Sequence, residues 1–438
     1  MSKRAIRGKI YHLKQDPHQS KDCFEYFEDG LLIIENGKVA KLDSFENLKN
    51  DYPNYEDESG KFILPGFIDT HIHYPQTEMV GSFGEQLLEW LENYTFPLEA
   101  NFSDKKYADR VAKLFLDTLL ANGTTTALVF PTVHKESVDA FFEEAQARKL
   151  RMICGKVLMD RHAPENLIDT AESGYQESKE LIAKWHGKDR LLYAVTPRFA
   201  PTSTPEQLLK AKQLLDEHEG LYMHTHLAEN KDEIKWVEEL FPDSNSYLNV
   251  YADHGLLRER SVFAHCVHLE HSEFKQIAKA DAAISFCATS NAFLGSGFFR
   301  LAEAEKNKVR VGLGTDIGAG TSFSILQTMN ESYKMIKLQK SFAEDPKEIK
   351  PLDPHKAFYL ATLGGAQALH LEDKIGNFEI GKEADFVVLN PACNQFMETR
   401  IKNTKSLEDQ LFAIMMLGNQ QMIESVSILG EKINKVTP

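Results

Sequence analysis

Eight short runs rich in Val, Ile, Leu and Phe recur along the middle of the chain, each followed by a longer polar stretch with helical periodicity. They read FILPGFIDTHIH, TTTALVF, RMICGKVLM, LLYAVTP, LYMHTHLAE, VFAHCVHL, AAISFCATS and VRVGLGTD. Amphipathic segments such as KKYADRVAKLFLDTLLANG, STPEQLLKAKQLLDEHEG and NKDEIKWVEELF separate them. The first of these ends at Asn122-Gly123 and the second at Gly220, both helix stops. Strands alternating with helices at this spacing imply a parallel sheet. Eight units in about 300 residues suit a closed (β/α)8 barrel, which needs ~250 residues before insertions. An open doubly wound sheet is the alternative, but no GxGxxG follows the first strand to support a dinucleotide-binding version.

The two ends of the chain have a different character. GLLIIENGKVAKL sets two apolar runs around Asn36-Gly37, a hairpin signal. Near the other end, IGNFEIGKEADFVVLN and MIESVSILG are strand-like between glycine turns. Neither end holds enough strands for a sheet of its own, because an isolated hairpin is marginal in water. The expected fold is therefore α/β: a TIM barrel over residues 65–374, beside a small β-sandwich domain composed of residues 1–64 and 375–438.

A net charge of −15 argues against a nucleic-acid partner, since an acidic surface repels phosphate. No apolar run reaches the roughly 18 residues of a membrane span. The start, MSKRAIRGKIYHLKQDP, has no apolar stretch typical of a secretory signal. Five cysteines, far apart and with no CxxC, fit a reducing, cytoplasmic setting.

The chemistry is carried by polar residues at the ends of the barrel runs. His71 and His73 are two apart in PGFIDTHIH, so on a strand both point the same way. The fifth run ends in His224, His226 and Glu229, the sixth carries His265, and the eighth ends at Asp316. Barrel active sites lie where strands end, at the C-terminal face. Imidazoles and a carboxylate gathered there are the donors a divalent metal takes. A lone histidine is more often a satisfied core residue; four histidines and an aspartate ending separate strands of one barrel are not explained that way. His134, His162, His254, His268 and His271 lie elsewhere and read as surface or capping residues.

PGFIDTHIH, HTHLAEN, AHC and GLGTD together resemble the amidohydrolase superfamily. Within it, THIHYPQTEMVGSFGEQLLEWLENYTFPLE, VTPRFAPT, THLAENKDEI and GLGTDIGAG are similar to the guanine deaminase family. LLEWLENYTFP is the most telling, because it lies outside the metal motif, in the expected cover after the first barrel strand. The resemblance implies hydrolytic deamination of guanine to xanthine and ammonia. It implies one divalent metal, zinc ahead of iron, held by His71, His73, His226 and Asp316. His265 would orient the attacking water, Glu229 would shuttle protons, and Asp316 would both ligate and take a proton from the water. Gln76, Arg198 and Phe199 would bind the purine, and a homodimer is the expected assembly. Two-metal relatives use a lysine on the fourth strand; LLYAVTPRF has none, and Lys156 on the third run is better read as paired. One departure stands out: FCATSN has Ala288 where relatives carry proline, which implies a changed loop shape. The rival reading is a related deaminase or chlorohydrolase acting on another aminated heterocycle, distinguished by the cover from Gln76 to Phe96 and by Arg198.

Overall fold

The chain opens with four strands: β1 (Lys3–Leu13), β2 (Phe24–Glu35), β3 (Lys38–Ser44) and β4 (Glu56–Pro65). The computed structural model describes residues 3–83 and 86–433. Asn36 and Gly37 both take left-handed backbone, with φ of 53° and 78°, and this turn joins β2 to β3 in antiparallel register. The barrel follows with β5 (Phe67–His73), β6 (Thr124–Phe130), β7 (Arg151–Cys154), β8 (Val157–Leu158), β9 (Leu192–Pro197), β10 (Tyr222–Leu227), β11 (Ser261–His265), β12 (Ala283–Phe286) and β13 (Arg310–Leu313). Three strands close the chain: β14 (Phe386–Leu389), β15 (Ile423–Ile428) and β16 (Glu431–Ile433).

All eight apolar runs supply strands of one parallel sheet, ordered β5-β6-β7-β9-β10-β11-β12-β13, while the leading FILP of the first run belongs to β4 in the other sheet. The third run is broken into β7 and β8, and each pairs with β9. The break falls at Gly155, where an added Cβ would lie 1.7 Å from the Ala194 carbonyl oxygen. The ring is drawn shut between its first and last strands. Asp316 N donates to His71 O at 2.9 Å, and His73 N donates to Ile317 O at 3.0 Å. The three amphipathic segments form helices Lys105–Ala121, Pro205–Glu217 and Lys231–Leu240, each opened by a side-chain cap: Asp104, Thr204 and Asn230.

Strands from both ends of the chain join in a second sheet, ordered β16-β15-β14-β4-β1-β2-β3. The expected small β unit is thus one continuous hydrogen-bonded sheet, in which β1 and β4 run parallel and the other pairs antiparallel. One face buries Ile6, Ile10, Leu32, Ile34, Ile63 and Phe386. β4 continues almost directly into β5, so the small sheet is rooted in the first barrel strand. Between β14 and β15 the chain forms helices Gln395–Lys402 and Leu407–Leu417. The second packs on barrel helix Ile325–Phe342, where Asn330 Nδ2 donates to Met416 O at 2.7 Å. Among the described residues, no helix is long and apolar enough to cross a membrane.

Candidate active site

β5 ends in Asp69-Thr70-His71-Ile72-His73, and every residue of it is buried. Asp69 binds the far side of the closure: Thr315 N and Oγ1 donate to its carboxylate at 3.1 and 2.5 Å. With the strand clamped to the β13 end, His71 and His73 reach into the barrel mouth. His73 Nε2 lies 3.2 Å from His71 Nε2 and 3.2 Å from His226 Nε2. Asp316 Oδ1 is 3.1 Å from His71 Nε2 and 3.3 Å from His73 Nε2. One donor atom each from His71, His226, His265 and Asp316 fall within 4.8 Å of one another. Residues from four strand ends thus meet at one point. Two are held in left-handed backbone, His265 at φ 70° and Asp316 at φ 51°, a conformation non-glycine residues keep only where surrounding structure enforces it.

Hydrogen bonds behind the histidines decide which ring nitrogen faces inward. Arg198 O accepts from His226 Nδ1 at 2.7 Å, and Asn291 Oδ1 accepts from His265 Nδ1 at 2.9 Å. His71 Nδ1 sits 2.8 Å from His224 Nε2, which gives His224 a supporting place behind the cluster. With Nδ1 protonated, each Nε2 presents a lone pair to the centre. Burial pushes the His73 imidazole down to about 3, and those of His71, His224 and His226 down as well, so these rings are neutral. His265 Nε2 is buried with no hydrogen-bond partner. Neutral lone pairs crowded at 3.2 Å around a carboxylate are stable together only around a cation, and the donor set fits one divalent ion.

The proton-handling candidate adjoins this cluster. Glu229 Oε2 lies 3.4 Å from His265 Nε2, and Ser296 Oγ donates to Glu229 Oε1 at 3.1 Å. Burial, then the nearby Asp316 charge, pushes the Glu229 carboxyl up to about 8. Behind it, Glu233 Oε2 accepts from Glu229 N at 3.0 Å and Asn230 N at 3.1 Å, while Tyr247 OH donates to its other oxygen.

Gln76, Arg198 and Phe199 line the same pocket as His73, His226, Glu229, His265 and Asp316. Leu87, Trp90 and Leu91, from the stretch LLEWLENYTFP, form its cover. That stretch is a run of short helical turns, Leu87–Trp90, Leu91–Thr95 and Phe96–Glu99.

Several expectations find a definite place. Lys156 is fully buried and paired with Asp169 at 2.6 Å, away from the cluster. Cys266, next to His265, lies within the hydrophobic core. Ala288 is the first residue of helix Ala288–Phe293. Proline and alanine are both at ease at that position, so the substitution needs no new loop path, and the expected change of shape has no physical cause here. Asn291, three residues on, keeps its hold on His265. Glu99, Glu233 and the tie from Asn291 escaped the sequence reading. Glu99 and Glu233 are ordinary helix glutamates until the fold buries them, and the only hint was Glu99's place two residues past LLEWLENYTFP.

An amidohydrolase family pattern matches residues 62–432. Guanine deaminase of Escherichia coli (strain K12) is 51% identical over 98% of this chain and 97% of its own length. A solved structure of E. coli guanine deaminase superposes with a TM-score of 0.94 at 49% identity, covering 99% of each chain. Guanine deaminase from C. acetobutylicum, solved with guanine bound in its active site, gives a TM-score of 0.90 at 29% identity, covering 99% of this chain and 100% of its own.

Proposed function

The chain belongs to the amidohydrolase family, and on that premise we propose that it deaminates guanine hydrolytically to xanthine and ammonia. The observation that carries the reading is the pairing of a metal-ready histidine and aspartate cluster with a pocket that holds Gln76 and Arg198 and is roofed by LLEWLENYTFP. In the net reaction the C2–oxygen bond forms from water, the bond from C2 to the exocyclic nitrogen breaks, ammonia leaves with one of water's two protons, and the other stays on the ring nitrogen beside C2.

His71, His73, His226 and Asp316 are assigned as ligands of a single divalent ion, zinc ahead of iron, although imidazole and carboxylate donors suit zinc, iron and manganese. Such an ion, when bound, lowers the pKa of a water molecule toward neutrality. His265 is assigned to orient that water, because its Nε2 faces both Glu229 Oε2 at 3.4 Å and Asp316 Oδ2 at 3.7 Å. Asp316 is assigned, beside its place among the ligands, to take up the proton that the water would give up. Glu229 carries a proton to the ring nitrogen beside C2 and then to the departing amine. Its burial and the Ser296 hydroxyl hold the carboxyl where it can reach both. Gln76 and Arg198 supply hydrogen-bond donors to the purine, and Phe199 walls the same pocket. Five unpaired thiols support a reducing cytoplasmic setting.

The test is ammonia release from a panel of aminated purines and pyrimidines, with and without chelator. Guanine should be turned over, and chelation should abolish turnover until zinc is restored. Release from adenine or cytosine but not from guanine overturns the substrate assignment in favour of a related deaminase.

A further inference from the structure

One wall of the pocket rests on a carboxylate for which the proposed chemistry has no use. Glu99 ends the turn Phe96–Glu99 and has no solvent exposure. Arg198 Nη1 donates to its Oε2 at 2.7 Å, and Nη2 to its Oε1 at 3.1 Å. Gln76 Nε2 donates to Oε1 at 3.2 Å. From the other side, Gln76 Oε1 accepts from Gly318 N at 3.0 Å. The Arg198 guanidinium also lies over the Phe96 ring, 5.4 Å from its centroid.

This arrangement leaves the Gln76 amide one orientation. Turned by half a rotation, it would set its oxygen against the Glu99 carboxylate and its NH2 against the Gly318 N–H. Its oxygen is therefore spent on the backbone, and what remains for a ligand is an N–H. Arg198 has donors only. We infer that Glu99 is a positioning residue that sets substrate specificity: by locking Gln76 and Arg198 it makes this wall donate only, so the pocket accepts a 6-oxopurine and rejects a 6-aminopurine. The inference rests on the guanine reading and deepens it. With C2 toward the metal cluster, the remote edge of guanine carries O6 and N7, both acceptors. In 2,6-diaminopurine an amino group replaces O6, and donor meets donor. The 2-amino group that would leave is the same in both, and the accompanying change at N1 is the same for every form of the enzyme, so a change of the ratio in a variant reports on the wall.

The experiment compares kcat and KM for guanine and for 2,6-diaminopurine in the zinc-loaded enzyme and in Glu99→Gln. A site whose buried polar groups are left unpaired by the wrong ligand discriminates by about 10⁴-fold or more, and that is the preference expected of the unaltered enzyme. Glu99→Gln keeps the shape but offers one acceptor oxygen where the carboxylate offers two, so it removes one of the two groups that fix the Gln76 amide and loosens the Arg198 fork. The guanine preference should shrink at least ~10-fold, mainly through a raised KM for guanine with kcat little changed. A purely structural role would lower activity on both purines by one factor; an unchanged ratio in a folded variant overturns the inference. Should Glu99→Gln not fold, Glu99→Asp carries the same test. Its shorter reach holds Arg198 or Gln76 but not both, so the ratio should fall between those of the other two forms, and an unaltered ratio there is equally decisive. An unaltered enzyme inactive on guanine defeats the guanine reading itself; one active on guanine, with an unmoved ratio in the variant, defeats only the role of Glu99.

Discussion

Each histidine at the centre owes its behaviour to what stands behind it. Asn291 keeps the His265 proton on Nδ1, and the Arg198 carbonyl does the same for His226. Asn291→Ala should therefore lower activity or metal affinity by about 10–100-fold, as loss of a partner behind a functional histidine usually does; kcat together with metal titration checks it. Glu229 is a different case, because it is assigned to the proton path and not to the ligand set. Glu229→Gln is expected to retain its metal, measured by elemental analysis, while kcat falls by ~10²–10⁴-fold. A near-normal rate would remove Glu229 from the mechanism. Both side chains could be picked out in HTHLAEN and FCATSN. Asn291 as partner of His265 could not, because 26 residues separate them and only the neighbouring strand ends bring them together.

At the scale of elements, the closure between β5 and β13 sets the site. Gly312 on β13 faces Thr70 on β5, and an added Cβ would come within 2.4 Å of Thr70 Cγ2. Thr70 Oγ1 is at the same time bonded to Leu313 O at 2.9 Å and paired with Ser285 Oγ at 2.7 Å, so it has no room to yield. Gly312→Ala should cost about 1–3 kcal/mol, as overpacking of a filled core does, read as a lower denaturant midpoint with unchanged slope. Because His71 follows Thr70 directly, metal retention should weaken in the same variant. The strands themselves were legible as apolar runs, and so was the Asn36-Gly37 turn. The split of the third run was not, since it depends on how closely Gly155 approaches the Ala194 carbonyl of another strand.

For the molecule as a whole, the question is what ties the small sheet to the barrel. The loop after β1 carries Asp16 and His18. His18 bridges Glu305 and Asp353 at 3.0 and 2.9 Å, while the buried Lys356 pairs with Asp16 and Glu305, each at 2.8 Å. Burial alone would lower the His18 pKa, but hydrogen bonds to Asp353 and Glu305 raise it from 6.5 to about 9. A histidine whose folded-state pKa is raised contributes stability that is fully present below its unfolded value and is lost as pH climbs through the folded one. Between pH 6.5 and about 9, the thermal midpoint should therefore fall more steeply in the unaltered protein than in His18→Gln, which has no proton to lose there. Equal slopes in the two proteins would assign the tie to Lys356 instead.

What the sequence determined by itself was periodic or local. The alternation of apolar runs with amphipathic ones implied the parallel barrel, because side-chain spacing along a strand or helix is set by backbone geometry alone. The HxH pair, HTHLAE, AHC and GLGTD marked the strand ends where chemistry collects, because a polar group has no reason to end a buried strand unless something there binds it. Tertiary structure decided the rest: which ring nitrogens face inward, which glutamates lose water, and that Glu99 orders Gln76 and Arg198 across gaps of 23 and 99 residues. Those are properties of distance and burial between segments remote in the chain, and neither exists until the barrel closes.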